Sequence, residues 1–131
     1  MAAPNLLALT TGTGKTTYYT PSGTTAVVLL TNAASSGTVL KINQIVAANV
    51  NGTSAADCTV AVYTNGGVAQ GSAPSGGTAY PIASTISVPA DASLIVTDKT
   101  TQLYLEENTC ISVTSGTASA ITFTVSYELL S

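Results

Sequence analysis

An all-β antiparallel sandwich or jelly roll of about eight strands is the fold this sequence predicts, and three observations predict it. Apolar residues recur at period two within short runs rich in Val, Ile and Thr. Clusters of Gly, Pro, Asn and Ser separate those runs at nearly regular spacing. No amphipathic stretch of 3.6-residue period occurs, and good helix formers are few. Two sheets closing over one core satisfy all three observations.

Residues 1–22 fall outside the strand rhythm and are expected to form an N-terminal arm or an extra edge strand, with the sandwich domain spanning 23–131. The first strand of the sandwich is expected over 24–31, where hydroxyls give way to the apolar run Ala26-Val27-Val28-Leu29-Leu30. Residues 39–50 alternate Val39, Lys41 and Asn43 against Leu40 and Ile42, then Ile45, before the turn Asn51-Gly52-Thr53-Ser54. Residues 58–64 alternate cleanly and stop at Asn65-Gly66-Gly67, and the stretch Gln70 to Gly77 has the composition of a loop. A strand over 80–88 follows, with Pro81 placing its start at a sheet edge. Pro89-Ala90-Asp91-Ala92 turns the chain into a strand over 93–97. A short strand over 102–105, the turn Glu106-Glu107-Asn108 and a strand over 109–114 come next. The last strand covers 120–130, with Ile121, Phe123, Val125 and Tyr127 on one face. The expected core is Val28, Leu30, Ile42, Val60, Val62, Ile86, Leu94, Val96, Ile111, Val113, Phe123 and Val125.

Composition narrows the function classes. The 131 residues contain no His, Trp or Arg, so no imidazole can act as base or metal ligand and no guanidinium can clamp a phosphate. Charged residues make up only 7 % against about 25 % in ordinary domains, which suits burial against neighbours better than solitary solubility. The net charge of −3 and the scattered Lys15, Lys41 and Lys99 argue against nucleic acid. Residues 1–9 lack a basic signal-peptide start, and no apolar run approaches the roughly 20 residues of a membrane span. A soluble protein made in the cytosol is expected, with no membrane partner. Cys58 shares a face with Val60 and Val62, whereas Cys110 alternates with Ile111 and Val113 and faces the other way. That parity disfavours a disulfide and favours buried free thiols, as in a reducing cytosol.

The candidate chemistries each fall short. Gly12-Thr13-Gly14-Lys15-Thr16-Thr17 matches the end of a phosphate-binding loop, but Leu9 stands where the pattern requires glycine, and Tyr18, Tyr19, Thr20 and Pro21 favour extended chain over a helix. Serines are plentiful without a histidine or a Ser-x-x-Lys spacing to activate them. Asp91 and the Glu106-Glu107 pair sit in turns, where carboxylates are normally solvated. Asn51-Gly52-Thr53 fits the glycosylation tripeptide, which arises easily in a Thr-rich chain. Tyr18, Tyr19, Tyr63, Tyr80, Tyr104 and Tyr127 are the aromatics that could stack on sugars, though packing at core edges or between subunits is the plainer expectation. No catalytic, cofactor-binding or metal-binding residue is assigned, no cofactor is expected, and the protein is read as a non-enzyme.

Residues 33–131 also carry a resemblance. It rests on Ala33-Ala34-Ser35-Ser36-Gly37-Thr38-Val39-Leu40-Lys41-Ile42-Asn43 and Ala48-Asn49-Val50-Asn51-Gly52-Thr53-Ser54-Ala55-Ala56-Asp57. It continues through Ile82-Ala83-Ser84-Thr85-Ile86-Ser87-Val88-Pro89-Ala90-Asp91-Ala92-Ser93-Leu94, Tyr104-Leu105-Glu106-Glu107-Asn108 and Val125-Ser126-Tyr127-Glu128-Leu129. These runs resemble small virion structural proteins of tailed phages, especially those infecting marine cyanobacteria. Such proteins are similar to β-sandwich decoration, or cement, proteins that bind capsid surfaces, commonly as trimers. The resemblance implies a virion protein, assembled in the host cytoplasm, that stabilises the shell as a homo-oligomer against the major capsid protein or other virion proteins. Its alternative is a head, neck or tail fibre module that recognises host-surface glycans. The motifs describe strands and turns, so no functional residue is carried over. Asn108 stands where glycine is expected in the acidic turn, and Asn tolerates the same left-handed geometry.

Overall fold

The computed structural model describes residues 4–131. A three-residue 3-10 turn, Leu6–Ala8, precedes nine strands: β1 (Gly12–Tyr19), β2 (Val27–Asn32), β3 (Val39–Asn49), β4 (Ala56–Tyr63), β5 (Ala79–Val88), β6 (Ser93–Thr97), β7 (Leu103–Leu105), β8 (Thr109–Ser115) and β9 (Ile121–Leu130). All strand pairs are antiparallel. The five-stranded sheet runs β1-β9-β3-β6, with β7 pairing the other half of β3; the four-stranded sheet runs β2-β8-β4-β5. The pairing is nested. First strand meets last, β2 meets β8, β3 meets the two-part β6 and β7, and β4 meets its neighbour β5. The expected sandwich is therefore present, and residues 12–19 supply its extra edge strand.

The core lies between the sheets, and register explains its membership. Tyr19, Phe123, Ala47 and Leu94 stand in line across β1, β9, β3 and β6 and point inward. Phe123 is fully buried at the middle of that line, among the largest core side chains. Along β3 the ladder slips between Ile42 and Gln44. That bulge is why the inward alternation jumps from Ile42 to Ile45 in the sequence. A second bulge in β2, between Val28 and Leu30, turns both Leu29 and Leu30 into the core. Val28 consequently faces the other way, buried in a second cluster with Tyr63, Cys110 and the half-buried Val68.

Ile86 does not join the core. It lies opposite Cys58 but is 40 % exposed, because β5 is the outermost strand of its sheet and only Ala83 and Val88 along it are buried. Two register breaks against β4 and a positive φ of 52° at Thr85 pull β5 out of a regular ladder. Val62, Leu94 and Val96 are half-buried against the core rather than enclosed in it. The other predicted core residues are buried.

Two asparagines tie the sheets together. Asn32, at the end of β2, donates through Nδ2 to the carbonyls of Thr38 and Leu105 and accepts from Ser36 and Thr38 hydroxyls. Asn49, at the end of β3, donates to the carbonyls of Ser54 and Val88 and accepts from the Asn51 N–H. Both side chains are almost wholly buried, and each crosses from one sheet to the other. A buried amide is stable only when its groups are paired, and these are.

Residues 64–78, between β4 and β5, close on themselves through the Thr64 N–H to the Thr78 carbonyl. The segment folds over the outer face of the four-stranded sheet. Its Val68 covers Val28, Tyr63 and Cys110, while Gly71 and Ser72 exchange backbone hydrogen bonds with Val28. The Gln70 amide donates to the Leu29 carbonyl and to Thr17 of β1, fastening the loop to the sandwich edge. Gly66 sits so close to Asn32 and Thr109 that a Cβ there would lie 2.3 Å from the Asn32 carbonyl oxygen.

Candidate interaction surface

The singled-out polar residues do not assemble into a reaction centre. Gly12 to Tyr19 form the edge strand β1, fully extended, with Lys15 opposite Tyr127. No loop-to-helix turn is present there to aim successive N–H groups at a phosphate. Asp91 lies beside Asn51 and Gly52 near the end of β3, whereas the Glu106-Glu107 turn follows β7, which pairs with the start of β3. The two acidic turns thus sit at opposite ends of an 11-residue strand and cannot act as a pair. No group of three or more potential metal ligands occurs among the described residues. Asn51 Oδ1 accepts from the backbone N–H and hydroxyl of Thr53, an ordinary turn arrangement.

Both cysteines are free and buried, on opposite faces of the four-stranded sheet as their parity predicts. Burial, reinforced by Asp57, pushes the Cys58 thiol up, and burial pushes Cys110 up to about 11. Neither is a nucleophile near neutral pH. The tyrosines divide. Tyr19 and Tyr127 pack against the core, and Tyr63 accepts the Gly77 N–H beneath the 64–78 loop. Tyr18, Tyr80 and Tyr104 are exposed on three different strands, with no two of them adjacent in register.

What the strands do build is a broad face with almost no free charge. On the outer side of the five-stranded sheet, Tyr18, Thr124, Val46 and Ile95 stand in register, Tyr18 being 69 % and Ile95 57 % exposed. A parallel row of Gly14, Glu128, Lys41 and Tyr104 holds an ion pair, Lys41 to Glu128 at 3.6 Å. Asn43 donates to the same Glu128 oxygen at 3.3 Å. These two charges offset each other in place, and the rest of the two rows presents hydroxyls, methyls and rings. Between these two rows, on the same face, the β3 bulge and the β6–β7 turn border a cleft of about 450 Å³, lined by Asn43, Gln44, Asp98, Lys99, Thr100 and Ser126. Asp98 is engaged by its own turn: its carboxylate accepts from the Thr100 hydroxyl and N–H, which hold its pKa below the usual carboxylate value.

The sequence missed this cleft because it depends on where a bulge falls relative to a turn more than 50 residues away in the chain. The one available signal was the break in alternation at Asn43. No helix among the described residues is long and apolar enough to cross a membrane. Set against protein-family models, curated proteins and solved structures, the chain matches none of them.

Proposed function

We propose that this chain is a non-enzymatic structural protein of a tailed-phage virion, most concretely a decoration (cement) protein that binds the capsid shell. The observation that carries the reading is the sparsely charged outer face of the five-stranded sheet, where Lys41 and Glu128 offset each other and Tyr18 and Ile95 stand exposed. A face without net charge loses little solvation when it is covered, so it suits permanent contact with a protein partner. The nested order β1-β9-β3-β6 over β2-β8-β4-β5 supports it further, since it is the strand order expected of a jelly roll, an architecture used repeatedly in viral shells. The resemblance of residues 33–131 to phage virion proteins points the same way.

In this role the protein needs no cofactor. Each copy covers a modest area of the major capsid protein or a neighbouring virion protein, and repetition over the shell, strengthened by trimer formation, turns weak single contacts into firm attachment. Quantitative mass spectrometry of purified particles tests the reading. A copy number on the order of hundreds per particle supports shell decoration; about a dozen or fewer moves the protein to a head, neck or tail fibre position. Absence from particles refutes the virion role.

A further inference from the structure

The cleft between the β3 bulge and the β6–β7 turn has walls that are fixed before any ligand enters. The bulge places Asn43 and Gln44 side by side in its lining, and Glu128 holds the Asn43 amide through Nδ2. On the other side, the turn is locked by its own hydrogen bonds. The Asp98 N–H donates to the Thr101 hydroxyl and the Thr101 N–H to the Asp98 carbonyl. The Thr100 N–H and hydroxyl donate to the Asp98 carboxylate, and the Gln102 amide donates to the Lys99 carbonyl. Walls already ordered cost a ligand little entropy on binding. The volume of about 450 Å³ falls within the roughly 300–1,000 Å³ of small-molecule sites.

The lining chemistry selects the class of ligand. Every lining side chain is polar, which disfavours an apolar ligand. The Lys99 ammonium and the Asp98 carboxylate offset each other, so no net charge draws an anion or a cation. Hydrogen-bonding groups of both kinds remain. Among the described residues, the Gln44 amide, the Ser126 hydroxyl and the Lys99 ammonium have no hydrogen-bond partner in the protein. Both Thr100 groups bind Asp98 Oδ1, which leaves Oδ2 to accept from a ligand, and Asn43 Oδ1 is likewise open. A ligand that answers donors and acceptors in one small space carries groups that do both, as a hydroxyl does. Apolar shoulders flank the cleft. Tyr104, opposite Lys41, and Ile95, opposite Val46, are exposed level with positions about 7 Å to either side of Asn43-Gln44 along β3.

We infer that this cleft binds a neutral mono- or disaccharide. Asp98 Oδ2 and Asn43 Oδ1 accept from its hydroxyls, Gln44, Lys99 and Ser126 donate to its oxygens, and the C–H face of a sugar ring lies against Tyr104. The inference does not rest on the shell reading. The cleft lies on the face proposed to meet the shell, so a copy seated by that face holds no sugar, and a sugar-binding copy is one whose face is free.

Nitrogen-15 NMR of the full-length protein tests the site, with cellobiose, maltose, lactose and N,N′-diacetylchitobiose as probes. At least one of them is expected to give saturable shift changes centred on Asn43, Gln44, Asp98 to Thr100 and Ser126, with a Kd on the order of 1 mM, as suits an open cleft. Gln44→Ala and Tyr104→Ala, both at exposed side chains, are each expected to weaken that binding about fivefold while leaving the circular dichroism spectrum unchanged. Tyr18→Ala, on the same face but on β1, should leave it as it is. No saturable response to any of the four probes overturns the inference, as does a response that maps elsewhere on the protein. Glycine and sodium phosphate at the same concentrations are the charged controls, and an equal response to either overturns the choice of ligand class. Copy number in purified particles is scored separately. A protein abundant in particles that binds no saccharide refutes this site and leaves the virion reading standing; saccharide binding by a protein absent from particles does the reverse.

Discussion

Replacing Phe123 by Ala tests the register on which the sandwich depends. The ring is fully buried and sits inward between Tyr19 and Ala47 on the adjoining strands. Losing it removes a transfer contribution of about 1.5–3 kcal/mol. A cavity term adds to this. The site is poorly able to collapse, because Ala47 offers no side chain to move in and β9 is held by ladders on both sides. The total is expected at about 3–5 kcal/mol. With a urea m-value of about 1–3 kcal/mol/M for a domain this size, the unfolding midpoint falls by more than about 1 M. Circular dichroism is the suitable probe in a chain without tryptophan. Protein concentration must be held fixed, since association adds to apparent stability. Ile86→Ala is the matched control. The sequence places Ile86 in the core, but at 40 % exposure it should cost under about 1 kcal/mol. A Phe123→Ala loss under 1 kcal/mol, or an Ile86→Ala loss equal to it, would refute this register.

The remaining predictions concern the loop, the asparagines and the thiols. Gly66→Ala places a methyl against the Asn32 carbonyl and Thr109 backbone, so it should loosen the 64–78 loop and cost about 1–3 kcal/mol, with Cys110 becoming accessible to thiol reagents as the direct readout. Asn49→Ala removes the Ser54, Val88 and Asn51 hydrogen bonds and leaves a buried carbonyl unpaired; a loss of about 2–3 kcal/mol by urea melting is expected, and no loss would mean that the tie is idle. Both thiols should resist modification at pH 8 until the chain unfolds. Because burial raises the Cys110 pKa to about 11, the folded state holds its proton while the unfolded state loses it, so stability should fall as pH rises from about 9 to 11. Tyr127, also raised by burial, steepens that decline above pH 10, and Cys110→Ala should flatten the lower part of it. Titration calorimetry with Mg-ATP should give no binding; micromolar affinity abolished by Lys15→Ala would overturn the extended-strand reading of residues 12–17.

Much of the architecture was legible because a strand writes its two faces into alternate residues. The period-two runs located every strand from β2 to β9 to within a few residues, and the opposite parity of Cys58 and Cys110 was readable for the same reason. Alternation failed where the backbone changes step. In the run 26–30 both faces are buried and a bulge intervenes, so periodicity could not tell that Leu29 and Leu30 point inward while Val28 points out. Ile86 shows the complementary limit. Its alternation with Ile82 and Val88 is that of a core strand, but exposure depends on β5 lying outermost, a property of sheet order rather than of local sequence. At Asn108 the resemblance implied glycine-like, left-handed geometry, and its φ is 59°.

The surfaces were legible only as a deficit. Nine charged side chains on 131 residues leave most of the surface to hydroxyls, amides and apolar groups, without saying which faces carry which. Strand order supplies the missing half. It places Lys41 against Glu128 on the outer sheet face, where the two offset each other, and leaves β5 uncharged along its whole length. Low charge would be a hazard on a flat, regular edge, because identical strands would pair without end. Here Pro81, which has no N–H to donate, and the left-handed Thr85 interrupt that edge. An uncharged outer strand is thus kept from regular pairing by backbone shape rather than by the lysines that usually guard such an edge.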